Sequence, residues 1–147
     1  MELSERQHAF LALARSLLRL DRTVERVIDE ALRVHHDLAL REMFVLSLLE
    51  RGSLRPGQIA QELNLPAPSI TRASERLVGR GLVERHAGPH DRRHVELALT
   101  AAGRTLLDRA RADLAQALAD AWPDVATDRA ADLATGLEAL AQAEERS

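Results

Sequence analysis

The sequence predicts a mainly α-helical chain with one small β-hairpin, and three observations predict it. The apolar content of 46% is chiefly Leu, Ala and Val, with aromatics at only 2%, and Leu and Ala are strong helix formers. Long stretches repeat apolar residues every three or four positions, the period of one helix face. Near the middle, two short helical stretches are followed by a Gly-Pro turn and a run of alternating polarity, HVELAL, which has the period of a half-buried strand.

Residues 4 to about 34 read as one long helix. Ser4 and Gln7 have the spacing of a capping box, and Phe10, Leu13, Leu17, Leu20, Val24, Val27 and Ile28 follow at helical spacing. Thirty helical residues span roughly 45 Å, more than a compact chain of this size needs, so part of this helix is expected to pack on another chain. His35-His36-Asp37 breaks the pattern. Residues 38 to 50, LALREMFVLSLLE, form a second helix, apolar nearly all round and therefore central. RPGQIAQEL (55 to 63) is a short helix with Pro56 in its first turn, and NLP connects it to a fourth helix over 67 to 81, which Gly81 ends. LVER (82 to 85) and HVELAL (94 to 99) are the hairpin strands, with Val95, Leu97 and Leu99 inward. A fifth helix, 101 to 121, places Leu107, Ala110, Leu114 and Leu118 on one face. WPD interrupts, and Thr127 caps a sixth helix carrying Leu133, Leu137 and Leu140.

Charge is unevenly spread. The net charge is -3, but residues 51 to 94 hold eight arginines against four acids, a local +4 that leaves -7 for the rest. A basic centre between acidic ends points to an anionic partner. The lack of cysteine excludes disulfides, cysteine-ligated zinc and a thiol switch. No apolar run is long enough to span a membrane and no signal-peptide pattern is read, so a cytoplasmic chain is expected. No Gly-rich phosphate loop, cysteine nucleophile or paired-histidine motif is found, so no enzyme activity is expected.

Two short helices joined by a tight turn form a helix-turn-helix, and a basic hairpin after it forms a wing. On the fourth helix Ile70, Ala73, Ser74 and Leu77 share the side that should face the core. Pro68, Arg72, Glu75 and Arg76 lie opposite, with Ser69 and Thr71 on the flanks. Such a face suits a major-groove reader: arginine can donate two bonds to the O6 and N7 of guanine, and Ser or Thr can reach phosphates or bases. In the hairpin, DRR supplies Asp91, Arg92 and Arg93. Arginine is favoured in the narrow, strongly negative minor groove. In an extended segment residues two apart project to the same side, so the Asp91 carboxylate is expected to hold the Arg93 guanidinium while Arg92 turns toward phosphate or solvent.

Here the chain resembles the MarR family of winged-helix transcriptional regulators. The motifs are IAQEL, SITR, RLVGRGLVER, DRR, LALT and the following AAG, within residues 58 to 107. The resemblance implies a winged helix-turn-helix over 37 to 100 that binds DNA, with 1 to 36 and 101 to 147 forming a helical dimerisation region. It implies a homodimer on a palindromic double-stranded operator. Carried over by position, Ser69, Thr71 and Arg72 are recognition-helix residues, and Asp91 and Arg93 are the wing pair; Arg76 and Arg92 complete the expected DNA-binding set. It further implies a small aromatic or anionic effector in a cleft bordered by the first and second helices and the start of the fifth, near Met43 and Phe44. No cofactor, metal or membrane partner is expected. Two positions depart from the family pattern: Arg55 and Pro66 stand where Ser or Thr often caps a helix, which weakens local capping. The alternative reading is a winged-helix module for protein–protein interaction without DNA binding, which a wing lacking arginine would favour.

The six histidines are 8, 35, 36, 86, 90 and 94. His35-His36-Asp37 reads as a polar linker rather than a metal site, because adjacent side chains rarely converge on one ion without a third ligand. His86, His90 and His94 read as polar residues of the wing.

Overall fold

The structure is a computed structural model that describes residues 4–89 and 91–145. Six helices and one hairpin follow in order: α1 (Glu5–His36), α2 (Leu40–Leu49), α3 (Pro56–Glu62), α4 (Ala67–Gly79), β1 (Val83–Ala87), β2 (Val95–Leu99), α5 (Ala101–Ala121) and α6 (Thr127–Glu145). This is the expected mainly helical chain with one hairpin. The expected His90 falls outside the described residues.

The capping box at the start of α1 forms as its spacing predicts. Ser4 Oγ accepts the Gln7 N–H at 3.3 Å, and the Gln7 side chain accepts the Ser4 N–H at 2.8 Å. The helix runs on through His35 and His36, two residues beyond the expected end. The stop is Asp37, whose backbone is left-handed at φ 49°, a conformation Asp tolerates better than most residues. There the Asp37 N–H turns back to the Arg33 carbonyl, the Leu38 N–H reaches Leu32, and the Leu38 side chain is fully buried. These bonds satisfy carbonyls that a helix end leaves open.

The core lies between α2, α4, the hairpin and the second half of α1 with α5. Leu32, Leu46, Ile59, Ile70, Leu97 and Leu107 are among its fully buried side chains. Of α4, Ile70, Ala73, Ser74 and Leu77 are the buried residues, the set expected from the wheel. Gly81, at φ +71°, ends that helix, and the following Leu82 N–H bonds back to the Leu77 carbonyl. In the hairpin, Val83 pairs with Leu99 and Ala87 with Val95. Leu97 also exchanges two backbone bonds with Leu54, just before α3. Leu97 is buried and Leu99 half-buried, but Val95 is exposed. The alternation fails there because Val95 has left the domain body and belongs to the projecting tip.

Thr100 joins the hairpin to α5. Its Oγ1 accepts the Gly103 N–H as a helix cap and donates to the Gly81 carbonyl at 2.8 Å. Gly103 lies so close to the backbone just before β1 that a side chain there would run into the Leu82 carbonyl. The start of α5 is thereby fixed against the end of α4.

Outside this body, apolar faces stand uncovered. From Glu5 to Arg22 only Leu13 of α1 is even half-buried, and residues 127–143 of α6 are all exposed. Phe10, Leu17, Leu18, Leu133, Leu137 and Leu140 lie in these stretches, with Leu133 57% exposed.

Candidate nucleic-acid interface

Helix α4 offers its N-terminal half outward. Pro68, Thr71, Arg72 and Glu75 are exposed. Thr71 Oγ1 donates to the Ala67 carbonyl at 3.0 Å, so its lone pairs remain open to a donor. Arg72 spends only Nε on the Pro68 carbonyl, at 3.4 Å, and its two terminal nitrogens have no partner among the described residues. Two members of the expected face behave differently. Ser69 is half-buried with its Oγ enclosed and unpartnered among the described residues. Arg76 bends toward the α1–α2 corner: its NH2 lies 2.8 Å from Asp37 Oδ1 and its Nε 3.2 Å from Glu42 Oε1. The Asp37 hydrogen bond, and then the Glu42 charge, hold the Arg76 guanidinium above its usual pKa range. Arg76, expected among the DNA-binding residues, is thus already engaged by two carboxylates.

Neither cap departure supplies a side-chain cap. At the start of α3 the Gln58 side chain turns back to accept the Arg55 N–H at 2.9 Å, but the Arg55 side chain caps no helix N–H. Pro66 makes no side-chain cap for α4.

The wing tip is a turn. Gly88 N–H bonds to the His94 carbonyl at 2.8 Å, and His94 N–H to the Asp91 carbonyl at 3.1 Å. The tip turns, so Asp91 meets Arg93 chiefly through the backbone, Oδ1 accepting the Arg93 N–H at 2.9 Å, and the expected pairing of the two side chains is long, with Arg93 Nε 3.8 Å from the same oxygen. Asp91 Oδ2 lies 3.4 Å from His94 Nε2. The Arg93 side chain is 93% exposed. Arg92 is exposed and has no partner among the described residues. A cleft of about 530 Å³ separates this tip from α3, with Arg55, Gln58, Gln61, Arg93 and His94 on its walls. His86 pairs with Glu84 along β1 at 3.0 Å.

Met43 is buried in the core and Phe44 points to solvent. A space of about 580 Å³ lies between α1 and α5, bordered by Val27, Ala31, Val34, Asp113 and Ala117 among others. Sequence reasoning also missed His36. Its ring is 7% exposed and lies 2.8 Å from Asp113 Oδ2 of α5. A lone His-Asp pair separated by 77 positions leaves no local signal. Among the described residues no group of three or more His, Asp or Glu stands together as a metal site would require. No helix among them is long and apolar enough to cross a membrane.

A short helix, a tight turn, a second helix with an open basic N-terminal face, and an arginine-tipped hairpin together define a winged helix-turn-helix protein. The model of the MarR family, whose members are regulators of that fold, matches residues 38–95, and over that stretch the chain is similar to the family. A Bacillus subtilis (strain 168) protein described as the uncharacterized HTH-type transcriptional regulator YhbI is 27% identical over 92 residues, 63% of this chain. The match spans about 60% of that relative's length. Among solved structures, CouR from Rhodococcus jostii RHA1, bound to p-coumaroyl-CoA, is 27% identical with a TM-score of 0.72, covering 88% of this chain and 91% of that one. A mutant of MarR from E. coli in complex with operator DNA shares the fold at 23% identity, with a TM-score of 0.73 and coverage of 93% and 99%.

Proposed function

We propose that the chain is a dimeric, sequence-specific DNA-binding transcriptional regulator modulated by a small molecule. The observation that carries the reading is the pairing of two open arginines on separate devices: Arg72 on the outward face of α4 and Arg93 at the wing tip. Arg72, with Thr71, reads the major groove; Arg93 enters the minor groove; Arg92 meets phosphate. Ser69 contributes through the helix N-terminus it helps form, where backbone N–H groups favour phosphate. Residues 37–100 form the DNA-binding region, and 1–36 with 101–147 the dimerisation region. The uncovered apolar faces of α1 and α6 support that division, since contiguous exposed apolar surface marks an interface. The complexes of the two solved relatives, one with operator DNA and one with a coumaroyl thioester of CoA, support both the DNA partner and an aromatic or anionic effector. The protein has no catalytic role in this reading.

Selection from a random duplex pool, followed by gel shift of the winner, tests it. A palindrome with half-sites about 10 base pairs apart centre to centre, bound at about 10⁻⁸ M or tighter at physiological salt, is the expected result. Failure to prefer any duplex over random DNA would overturn the DNA reading and leave the protein–protein module in its place.

A further inference from the structure

The basic stripe of α4 divides. Arg72 is open, whereas Arg76 and Arg80, one and two turns on, are both spent on the end of α1. Arg80 NH1 donates to the Asp37 carbonyl at 2.7 Å and its NH2 to the His36 carbonyl at 2.9 Å. Arg76 NH2 donates to the same Asp37 carbonyl at 2.9 Å as well as to the Asp37 carboxylate. The last carbonyls of a helix are open acceptors with partial negative charge, and the planar guanidinium fork meets them in a fixed geometry. The receiving turn is rigid, held left-handed at Asp37 and anchored by buried Leu38. Glu42 adds a nearly buried carboxylate, one oxygen taken by the Ala39 N–H and the other facing Arg76. Moving Arg76 to a phosphate would strip that carboxylate of its cation, a costly exchange in a buried setting. From the other side, Asp113 of α5 holds the His36 ring, so α1, α4 and α5 meet at one corner.

We infer that Arg76 and Arg80 are positioning residues that dock the C-terminal half of α4 onto the Asp37 turn and so set the angle at which the helix meets DNA. The inference rests on the reading of α4 as the DNA-contacting helix. Neither arginine reads a base or neutralises a phosphate; both act through the placement of Arg72 and its neighbours.

The test uses the full-length chain and a duplex that the wild-type protein selects from a random pool. Arg76→Lys and Arg80→Lys keep a positive charge for phosphate but cannot reproduce the fork. Each should weaken binding about tenfold, and Arg76→Lys with Asp37→Asn should lose no more than the worse single variant, because the pair acts as one unit. The log-log salt slope should stay at the wild-type value, since no phosphate charge is given up. Amide hydrogen exchange over residues 67–79 of the free protein should rise in both lysine variants. Full affinity with unchanged exchange would overturn the inference, as would alanine variants whose salt slope drops by about one unit each. If the wild-type chain selects no duplex, the DNA reading fails, and the exchange result still decides whether these arginines hold α4. Should Arg76→Lys fail to fold, Arg80→Lys, which touches only backbone carbonyls, carries the comparison.

Discussion

The carboxylate of Asp91 holds the backbone of Arg93 and pairs only loosely with its guanidinium: Oδ1 accepts the Arg93 N–H at 2.9 Å, while Arg93 Nε stands 3.8 Å away in a long, exposed ion pair. Asp91 shapes the tip of the wing, and Arg93 projects from it. Asp91→Asn keeps an acceptor for that N–H and should bind DNA nearly as well as wild type. Asp91→Ala should lose about 0.5–1.5 kcal/mol, the worth of one hydrogen bond, and cost little once Arg93 is already Ala. Gel-shift titrations of the single and double variants check this; equal damage from Asn and Ala would mean the charge, not the turn, matters.

Arg93→Ala should weaken binding and lower the log-log salt slope by about one unit per phosphate charge no longer neutralised. Folding should be intact, because the side chain is 93% exposed. An unchanged slope and affinity would reduce the hairpin tip to a solvated turn.

Arg72→Ala should cost about 1–3 kcal/mol and relax preference at one position of each half-site. Binding to a panel of single-base operator variants decides it. A loss uniform across the panel would make Arg72 a phosphate contact.

Dimerisation should fail when the outer faces are made polar. Leu133→Asp with Leu137→Asp places charges on an exposed apolar face of α6 and touches nothing in the core. Sedimentation should show a folded monomer with poor operator affinity. A variant that remains dimeric would move the interface elsewhere.

Acid stability should depend on Glu50. Its carboxylate is held below the ordinary value of 4.5, first by the hydrogen bond to Arg111 and then, against some desolvation, by the charges of Arg111 and Arg104. A depressed folded pKa means the contribution is present above the unfolded pKa and is lost as pH falls through the folded one. Glu50→Gln should therefore narrow the stability gap to wild type as pH drops from 6 toward 3, read from urea melts. A gap independent of pH would show that the pair contributes nothing through ionisation.

The elements were legible in the sequence because their causes are local. Helical periodicity, the Ser4–Gln7 box, Pro56 in a first turn and Gly81 as a stop act within a few residues, so α1 to α6 and the hairpin could be read nearly in place. The buried side of α4 followed from a wheel alone, and the open Arg72 with it. What only the tertiary structure decided involves partners far apart in sequence. Asp37 gives no hint of Arg76 and Arg80, nor His36 of Asp113, since an arginine on a polar helix face looks the same whether it meets solvent, DNA or a distant carbonyl. The wing erred for a related reason. Alternation assumes an extended backbone, and the hydrogen bonds from Gly88 to His94 and from His94 to Asp91 bend the tip into a turn, carrying Val95 into solvent and turning the Asp91 carboxylate onto a backbone N–H. Periodicity states which residues share a face; only the folded chain states what that face meets.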